Sequence, residues 1–368
     1  MQSRSSAFAR FRRIARARLP LLACCAALIA TACSRRETPV QEAPVPRRVQ
    51  VRLVETARIQ MPTARQVAFL GTRAFVAQNF EGMTELDASD PAKPRVQHRL
   101  APSQAQPLHI RPVPPDMLAV ADRFRGLVMW RVADTDAPTT LAELAMPGIA
   151  THLDVLERGG RRFAVVACGG EGVTIVDISD PAAPKIVGRH KLDADYSRRI
   201  AVDGDIAYVA DNTDGGLKVL DIARPDDPQL LLKVLMPGFC QSVERRGELL
   251  LSAYRTHGVR VFRVEPRPPA ADRASTPGLT LLSSVHRTRN RVQETLPLWD
   301  DNATAPQRRL AAFADDAAGI ELYDFADPAA PLLVGEQRTP DSTLGLAFHR
   351  GFLYAACWNA GVVVYDLR

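Results

Sequence analysis

The chain has 368 residues, with 47 lysines and arginines against 41 aspartates and glutamates. Its positive excess lies in residues 1–18, which contain six arginines and no acidic residue; without these arginines, 41 basic residues balance 41 acidic ones. This balance excludes the basic stripe expected of a nucleic-acid-binding protein.

The N-terminus has the features of an export signal. The arginine-rich start is followed by an apolar run of 14 residues, 19–32, which is too short to span a bilayer. The run ends in Ile29-Ala30-Thr31-Ala32-Cys33, which resembles the lipobox of bacterial lipoproteins. We therefore expect residues 1–32 to be a lipoprotein signal peptide and Cys33 to carry the lipid that anchors the protein to a membrane. Ordinary secretory cleavage after Ala32 is the alternative.

Residues 33–46 are predicted to form a polar, extended tether. They contain Pro39, Pro44 and Pro46, and at roughly 3.1 Å per residue they reach up to about 40 Å from the membrane. Ser34, rather than aspartate, follows Cys33. By resemblance to lipoprotein sorting this favours the bacterial outer membrane, and it leaves open whether the protein faces the periplasm or the cell exterior.

A short phrase recurs along most of the remaining chain. It is clearest as GVTIVDISDPAAP from Gly172 and GIELYDFADPAAP from Gly319. The glycines that open successive copies are 44, 46, 44, 42, 61 and 42 residues apart: Gly82, Gly126, Gly172, Gly216, Gly258, Gly319 and Gly361. Seven copies with short strands and a period in the low forties predict an all-β fold, a seven-bladed β-propeller.

One copy, residues 198–235, shows what each unit must be. Its four β-rich runs are separated by Gly, Asp and Pro, which predicts a four-stranded antiparallel meander. Both faces of the meander are apolar, as expected of a sheet packed between two neighbouring sheets. The Asp-Pro element has the turn chemistry that separates the third strand from the outermost strand.

The two chain ends are predicted to close the ring. The last copy stops after its third strand at Arg368, whereas residues 47–59 alternate like a strand ahead of the first blade. We expect residues 47–59 to supply the missing outer strand of blade seven, because closure removes the exposed sheet edges.

The sequences GVTIVDISDPAAPKIVG and GVVVYD resemble the LVIVD repeat of predicted bacterial β-propellers. The resemblance covers residues 47–368 and is specific in blades one, three, four, six and seven. Blade two lacks the proline after Asp134 and blade five lacks Asp-Pro altogether. The resemblance implies an architecture and no particular activity.

Alternating strand direction assigns every connection to one of two faces. We call entry face the one that holds the connections into each blade and the turns between second and third strands, and opposite face the other. Equivalent positions at the start of the inner strands should ring the channel mouth on the entry face: Gln66, His109, His152, Arg199, Ser242, Arg291 and Gly345. Equivalent positions end the second strands: Gln78, Asp122, Cys168, Asp211, Tyr254, Asp315 and Cys357.

These positions suggest a ligand site at the channel mouth. His109, His152 and Arg199, with Asp122 or Asp211 nearby, could bind a metal ion or a small anion. A third metal ligand is not identified, so we assign no metal residues and expect no cofactor, a metal ion being the one candidate. A water-filled polar channel is the alternative interpretation.

The opposite face carries two insertions, residues 265–278 of blade five and 299–309 of blade six. With Trp299, Pro268 and Pro269 they suggest a docking surface for a partner, the alternative being a tolerated surface insertion. Cys168, Cys240 and Cys357 are expected to be buried thiols without a disulfide.

The catalytic motifs of hydrolases, metalloproteases, P-loop proteins and dinucleotide-binding enzymes are missing from the sequence. We therefore expect a monomeric, non-catalytic propeller that acts in the cell envelope as a scaffold for other envelope proteins. The alternative is a channel-mouth protein that binds a small ligand or metal, or a hydrolase of unknown substrate.

Overall fold

The computed structural model describes residues 50–100, 105–133, 136–192, 196–212, 216–266, 275–285, 291–299 and 308–368. Cys33 and the signal peptide and tether predicted around it lie outside these residues, as do Pro268 and Pro269. The described residues form 28 β-strands in seven four-stranded antiparallel sheets. No helix in this part of the chain is long and apolar enough to cross a membrane.

Each sheet is one blade. In six blades the strands follow chain order from the channel outward, and in blade seven the outer strand is β1. Blades one to three consist of β2 (Ala64–Leu70), β3 (Arg73–Gln78), β4 (Gly82–Asp87) and β5 (Arg95–Leu100); β6 (Pro107–Val113), β7 (Met117–Asp122), β8 (Gly126–Arg131) and β9 (Thr139–Leu144); and β10 (His152–Arg158), β11 (Arg161–Ala167), β12 (Val173–Asp177) and β13 (Lys185–His190). Blades four and five consist of β14 (Ser197–Asp203), β15 (Ile206–Asp211), β16 (Gly216–Asp221) and β17 (Gln229–Leu235); and β18 (Ser242–Arg246), β19 (Leu249–Ala253), β20 (Val259–Glu265) and β21 (Gly278–Val285). Blade six consists of β22 (Glu294–Pro297), β23 (Leu310–Asp315), β24 (Gly319–Asp324) and β25 (Leu332–Gln337), and blade seven of β26 (Gly345–His349), β27 (Phe352–Ala356), β28 (Val362–Leu367) and β1 (Leu53–Ile59). Blades two and five therefore have complete outer strands despite their weakened Asp-Pro elements.

The core of the propeller lies between the blades. Each inner strand contacts the inner strands of both neighbouring blades, and β26 of blade seven contacts β2 of blade one. Seven apolar clusters fill the seven interfaces between adjacent blades. Val165 of blade three and Val209 of blade four, for example, belong to one such cluster and are fully buried. Because each sheet is covered on both faces, its strands need continuous apolar sequence, as predicted.

Pairing between the two chain ends closes the ring, which confirms the prediction. β1 lies antiparallel to β28, with Leu53 opposite Leu367 and Ile59 opposite Val362. Ahead of the strand, the N–H of Val51 donates to the carbonyl of Val334 in blade six at 2.7 Å. The outer strand of blade seven thus comes from the other end of the chain.

The recurrent glycine is explained by a close backbone approach at the start of the third strand. Gly172 has a φ of +78°, and a Cβ atom there would lie 2.3 Å from the carbonyl oxygen of His190 on the outer strand. Gly361 repeats this arrangement against the oxygen of Ile59 at 2.1 Å. Gly216 is the exception, because its Cβ would meet nothing closer than 3.7 Å.

The Asp-Pro elements form the predicted turns. In blade three, the N–H of Ser179 donates to Asp177 Oδ1 and the N–H of Ala182 donates to Asp180 Oδ1, both at 3.0 Å. The aspartates are thereby committed to the turn between the third and outer strands.

Candidate functional site at the entry face

The register of the inner strands defines a ring of equivalent side chains at the channel mouth. In every blade the ring position lies opposite an alanine of the second strand. The seven ring residues are Gln66, His109, His152, Arg199, Ser242, Glu294 and Gly345. Six agree with the sequence prediction, but Glu294 takes the place predicted for Arg291. The inner strand of blade six is only four residues long and begins at Glu294, so counting back from the repeat misplaced it.

His109 and His152 lie side by side, with ring centroids 3.6 Å apart. The N–H of Leu153 points to Nδ1 of His109 at 3.5 Å, and the N–H of Ile200 points to Nδ1 of His152 at 3.4 Å. Burial lowers the pKa of both imidazoles well below the usual range, and nearby cationic side chains lower it further. With Nδ1 accepting, each neutral ring carries its proton on Nε2 and can act there as a hydrogen-bond donor.

The same ring position joins neighbouring blades elsewhere. Oε1 of Gln66 accepts the N–H of Ile110 at 3.1 Å, and Oε2 of Glu294 accepts the N–H of Leu346 at 3.3 Å. Each acceptor therefore binds the residue that follows the ring position of the next blade. The histidines occupy the same structural role, so their Nδ1 atoms are engaged in holding the ring together.

Arg199 cannot play that role, because a guanidinium has no acceptor. It reaches Glu294 instead, with Nη1 to Oε1 at 2.9 Å and Nη2 to Oε2 at 3.2 Å. Both side chains are largely buried, at 12% and 8% exposure. This paired geometry joins blade four to blade six and holds the guanidinium charged.

Beside this ring lies a small cationic cavity of about 100 Å³, which we call the arginine pocket. His109, His152 and Arg199 contribute to its wall, as the sequence predicted, together with Thr151 and Tyr196. Three further arginines, which sequence reasoning missed, complete it: Arg65, Arg123 and Arg198. Arg65 and Arg198 each precede a ring position by one residue, and Arg123 follows Asp122. Their signal was a basic residue adjacent to the equivalent positions rather than at them.

Arg65, Arg123 and Arg198 form no ion pair with any described residue. The Nε atoms of Arg123 and Arg198 are buried and have no hydrogen-bond partner in the described part of the chain. Burial and the charges of Arg65 and Arg199 lower the pKa of Arg198 to about 9; burial, Arg199 and Arg123 lower that of Arg65 to about 10. Both pKa values are lowered because the guanidinium groups are buried and because cations held close together repel one another.

Asp122 and Asp211, predicted to lie near the site, do not line the arginine pocket. Asp122 Oδ2 accepts the N–H of Gln106 at 2.8 Å, and its Oδ1 accepts those of Phe124 and Arg125 at 3.0 Å. Asp211 forms a buried ion pair with Lys218. A strand-ending aspartate is committed to its local turn or to an adjacent cation, so equivalence in the repeat did not bring these carboxylates to the histidines.

The donor set of the pocket is therefore unsuited to a cation. Among the described residues, no group of three or more His, Cys, Asp or Glu side chains could hold a metal ion. The histidine Nδ1 atoms accept backbone donors, and arginines line the same cavity as the two rings. Chemically, the pocket offers N–H donors and positive charge.

Two residues further along the inner strands, the channel contains an ion pair. Nη2 of Arg111 lies 2.8 Å from Oδ1 of Asp154, whose Oδ2 accepts the N–H of Val202 at 2.9 Å. Burial, then the nearby Glu294, raises the pKa of Glu244 to about 8. Arg111 in the channel thus has an acidic partner among the described residues, unlike Arg65, Arg123 and Arg198 at the mouth.

On the opposite face, Trp299 does not form the predicted docking surface. It is 5% exposed and belongs to the apolar cluster between blades five and six, with its ring centroid 6.1 Å from that of Phe325. The tryptophan follows a very short inner strand, and its large apolar ring fills the interface there. Pro268 and Pro269 lie outside the described residues.

Exposed aromatic side chains instead lie on the entry face. Phe80 and Phe124, on turns between second and third strands, are 59% and 68% exposed, and Phe239, on the connection into blade five, is 49% exposed. Phe80 contacts Trp358 of blade seven edge to face at 6.4 Å, and Arg255 lies over the ring of Phe239 at 5.7 Å. We call these four aromatic residues the aromatic rim.

The cysteines in the described residues are structural. Cys168, Cys240 and Cys357 are buried and free, as predicted. Burial raises the pKa of Cys168 to about 11 and that of Cys357 to about 12, which keeps both as thiols.

Comparison with known proteins identifies the repeat. The LVIVD repeat family matches residues 63–100, 150–191 and 194–235, which correspond to blades one, three and four. No curated protein matches the chain in sequence. The molecule is thus a seven-bladed β-propeller in which blades one, three and four match the LVIVD repeat.

Solved structures share the fold. The β-propeller domain of Cps50 (Swd1) from Myceliophteria thermophila has a TM-score of 0.65 at 15% identity, over 86% of this chain and 100% of that one. BBS1N, in complex with ARL6DN, has a TM-score of 0.61 at 16% identity over 87% and 98%. The computationally designed Ika8 protein has a TM-score of 0.58 at 11% identity over 85% and 99%. At these identities the likeness concerns the fold alone.

Proposed function

We propose that this LVIVD-repeat propeller is a lipid-anchored scaffold of the bacterial envelope, which binds a protein partner with its entry face. The aromatic rim carries the proposal. Large, exposed aromatic rings beside arginines are the composition of protein-binding hot spots.

The charge of the entry face defines the partner's chemistry. Arg255 lies against Phe239, and Arg123 directly precedes Phe124 in the turn that presents it. A complementary surface would have an apolar centre to cover the aromatic rings and acidic residues to face the arginines. We therefore infer a partner with an acidic, partly apolar surface.

The path of the chain favours the same face. β1 begins at the opposite face, because Leu53 pairs with Leu367, the end of the third strand of blade seven. The described residues that precede β1 lie at the same end of the blade, because the N–H of Arg52 donates to the carbonyl of Arg368 at 2.7 Å. They therefore leave the entry face uncovered.

The test is capture of a partner by the full chain in intact cells, followed by substitutions in the rim. Phe80→Ser and Phe124→Ser should each reduce recovery of a stoichiometric crosslinked partner at least about tenfold, since hot-spot residues contribute roughly 2 kcal/mol or more. Leu332→Ser is the matched control, because Leu332 is similarly exposed, at 52%, but lies on the outer strand of blade six.

Recovery should also fall as salt is raised, because charge complementarity is screened. Unchanged recovery with both phenylalanine variants, combined with loss on deletion of residues 267–274, would move the docking surface to the opposite face and refute the proposal.

A further inference from the structure

We infer that the arginine pocket is a binding site for a phosphate- or sulfate-like dianion, either a free oxyanion or the terminal group of a larger molecule. The inference goes beyond the scaffold function, because it concerns a cavity within the propeller and needs no protein partner. It rests on charge that the fold gathers without a counterion, and on the donors that surround this charge.

The first step is the charge count. Four arginines converge on one cavity, and Glu294 pairs with Arg199 only, which leaves Arg65, Arg123 and Arg198 without an acidic partner in the described residues. Several other buried or half-buried cations of this propeller are paired, among them Lys218 with Asp211, Arg73 with Glu85, and Arg111 with Asp154. An excess of three guanidinium groups suits a dianion better than a single carboxylate.

The second step is the unused donors. The buried Nε atoms of Arg123 and Arg198 have no partner in the described chain, and burying such a donor unpaired costs free energy. A ligand that accepts hydrogen bonds from these two atoms would offset that cost. Arginine is also the side chain whose planar fork matches oxyanion geometry.

The third step is the neutral donors. The backbone bonds to Nδ1 fix His109 and His152 with their protons on Nε2, and both side chains line the same cavity as Tyr196 and Thr151. The histidine Nε2–H groups and the hydroxyl of Tyr196 can donate to anion oxygens without adding to the repulsion between the arginines, whereas the hydroxyl of Thr151 already donates to backbone carbonyls. A cavity of about 100 Å³ admits a tetrahedral oxyanion group but not a large ligand.

The site combines residues of four blades. Arg65 enters blade one, Arg123 lies on a turn of blade two, and Arg198 and Arg199 enter blade four, while Thr151 and His152 belong to blade three. Four consecutive blades thus contribute, as is usual for ligand sites at propeller mouths assembled from scattered loop residues.

The experiment is calorimetric titration of the purified full chain, in a buffer low in anions, with inorganic phosphate, sulfate, glycerol 3-phosphate and acetate. We expect saturable binding of phosphate and sulfate, and acetate binding at least tenfold weaker. Glycerol 3-phosphate binding as tightly as phosphate would indicate the terminal group of a larger molecule, such as a lipid headgroup; weaker binding would indicate a free oxyanion. Saturable acetate binding equal to that of phosphate would overturn the dianion assignment.

Substitutions give the sharper test. Arg198→Gln and Arg123→Gln should each weaken phosphate binding at least tenfold, whereas Arg99→Gln, on the exposed outer strand of blade one, should leave it unchanged. Without ligand, Arg198→Gln should also raise Tm, because it removes a repelling buried cation. An Arg198→Gln variant with lower Tm and undiminished phosphate binding would show a structural role and refute the site.

The pH dependence checks the neutral histidines. Sulfate is a dianion throughout the range from pH 8 to pH 6, so its affinity should stay constant if the histidines remain uncharged. Phosphate affinity should fall over that range as the dianion becomes protonated. Stronger sulfate binding at pH 6 would show that the imidazoles gain protons, and would overturn the neutral-donor arrangement.

Discussion

The interfaces between the blades and the mouth of the channel are built from the same strands, yet they follow different rules. At the interfaces every blade repeats one solution: apolar side chains on both faces, one buried cluster per junction and a glycine at the start of the third strand. At the mouth, one register position holds seven residues of six types, from Gly345 to Arg199. The difference teaches that the repeated residues specify the architecture of the propeller, which we call its frame. The candidate functional residues are those that differ from one blade to the next.

The comparison also separates two uses of buried charge. Lys218 and Asp211 form a pair between adjacent strands of one blade, with side chains 3% and 1% exposed. Of the three unpaired arginines at the mouth, Arg65 and Arg198 stand at the second position of the inner strands β2 and β14, and Arg123 lies on a turn. The pair within a blade compensates its own buried charge, whereas the proposed dianion site depends on cations that no acidic residue of the described chain compensates.

The largest loss of stability is expected when β1, the strand that closes the ring, is removed. Deleting residues 47–59 should abolish cooperative folding, because it removes the ladder between β1 and β28 and exposes two apolar clusters. A loss on the order of 5 kcal/mol or more would exhaust much of the stability of a typical domain. Thermal unfolding followed by circular dichroism measures it.

Deletion of residues 34–46 is the control for that experiment, since the sequence predicts a tether there and the unfolding transition should not move. A cooperative transition retained at the wild-type temperature without residues 47–59 would contradict closure of the ring by the two chain ends.

The recurrent glycine offers a matched pair of substitutions within the frame. Gly172→Ala should lower the free energy of unfolding by about 2–4 kcal/mol, because it combines a left-handed φ with a backbone clash at 2.3 Å. Gly216→Ala at the equivalent position should cost less than about 1 kcal/mol, because its φ is not left-handed and its Cβ would meet no described atom closer than 3.7 Å. Denaturant unfolding of both variants measures the difference, and equal losses would show that the glycine is retained for another reason.

The channel responds to pH through Glu244, whose pKa is raised to about 8 in the folded protein. As pH rises from about 4.5 to 8, the unfolded chain releases this proton before the folded chain does, so stability falls over that window. Glu244→Gln should remove this dependence and increase stability at pH 8 relative to pH 5 by about 1–3 kcal/mol.

Denaturant midpoints at both pH values test this prediction. Glu81→Gln, at an exposed turn residue, is the control and should leave the difference between the two midpoints unchanged. A Glu244→Gln variant with the wild-type pH profile would show that another group controls the channel.

Much of the fold follows from the sequence because its causes are local and repeated. Strand lengths, the Asp-Pro turns and the glycine spacing each depend on residues close together in the chain. Because the unit occurs seven times, each copy supports the prediction made from the others. Even the long-range pairing of β1 with β28 was predictable. The last copy lacks an outer strand and the first copy is preceded by an extra strand, so the two can pair.

The sequence by itself therefore determined the seven blades, the closure of the ring and the two faces, and it named His109, His152 and Arg199 together. Tertiary structure alone decided the rest. It brought Arg65, Arg123 and Arg198 from separate blades to one cavity. It also paired Glu294 with Arg199 and buried Trp299. The physical reason is that a repeat fixes where each position lies around the ring, while the partner of a long charged or aromatic side chain depends on neighbours that the repeat does not share.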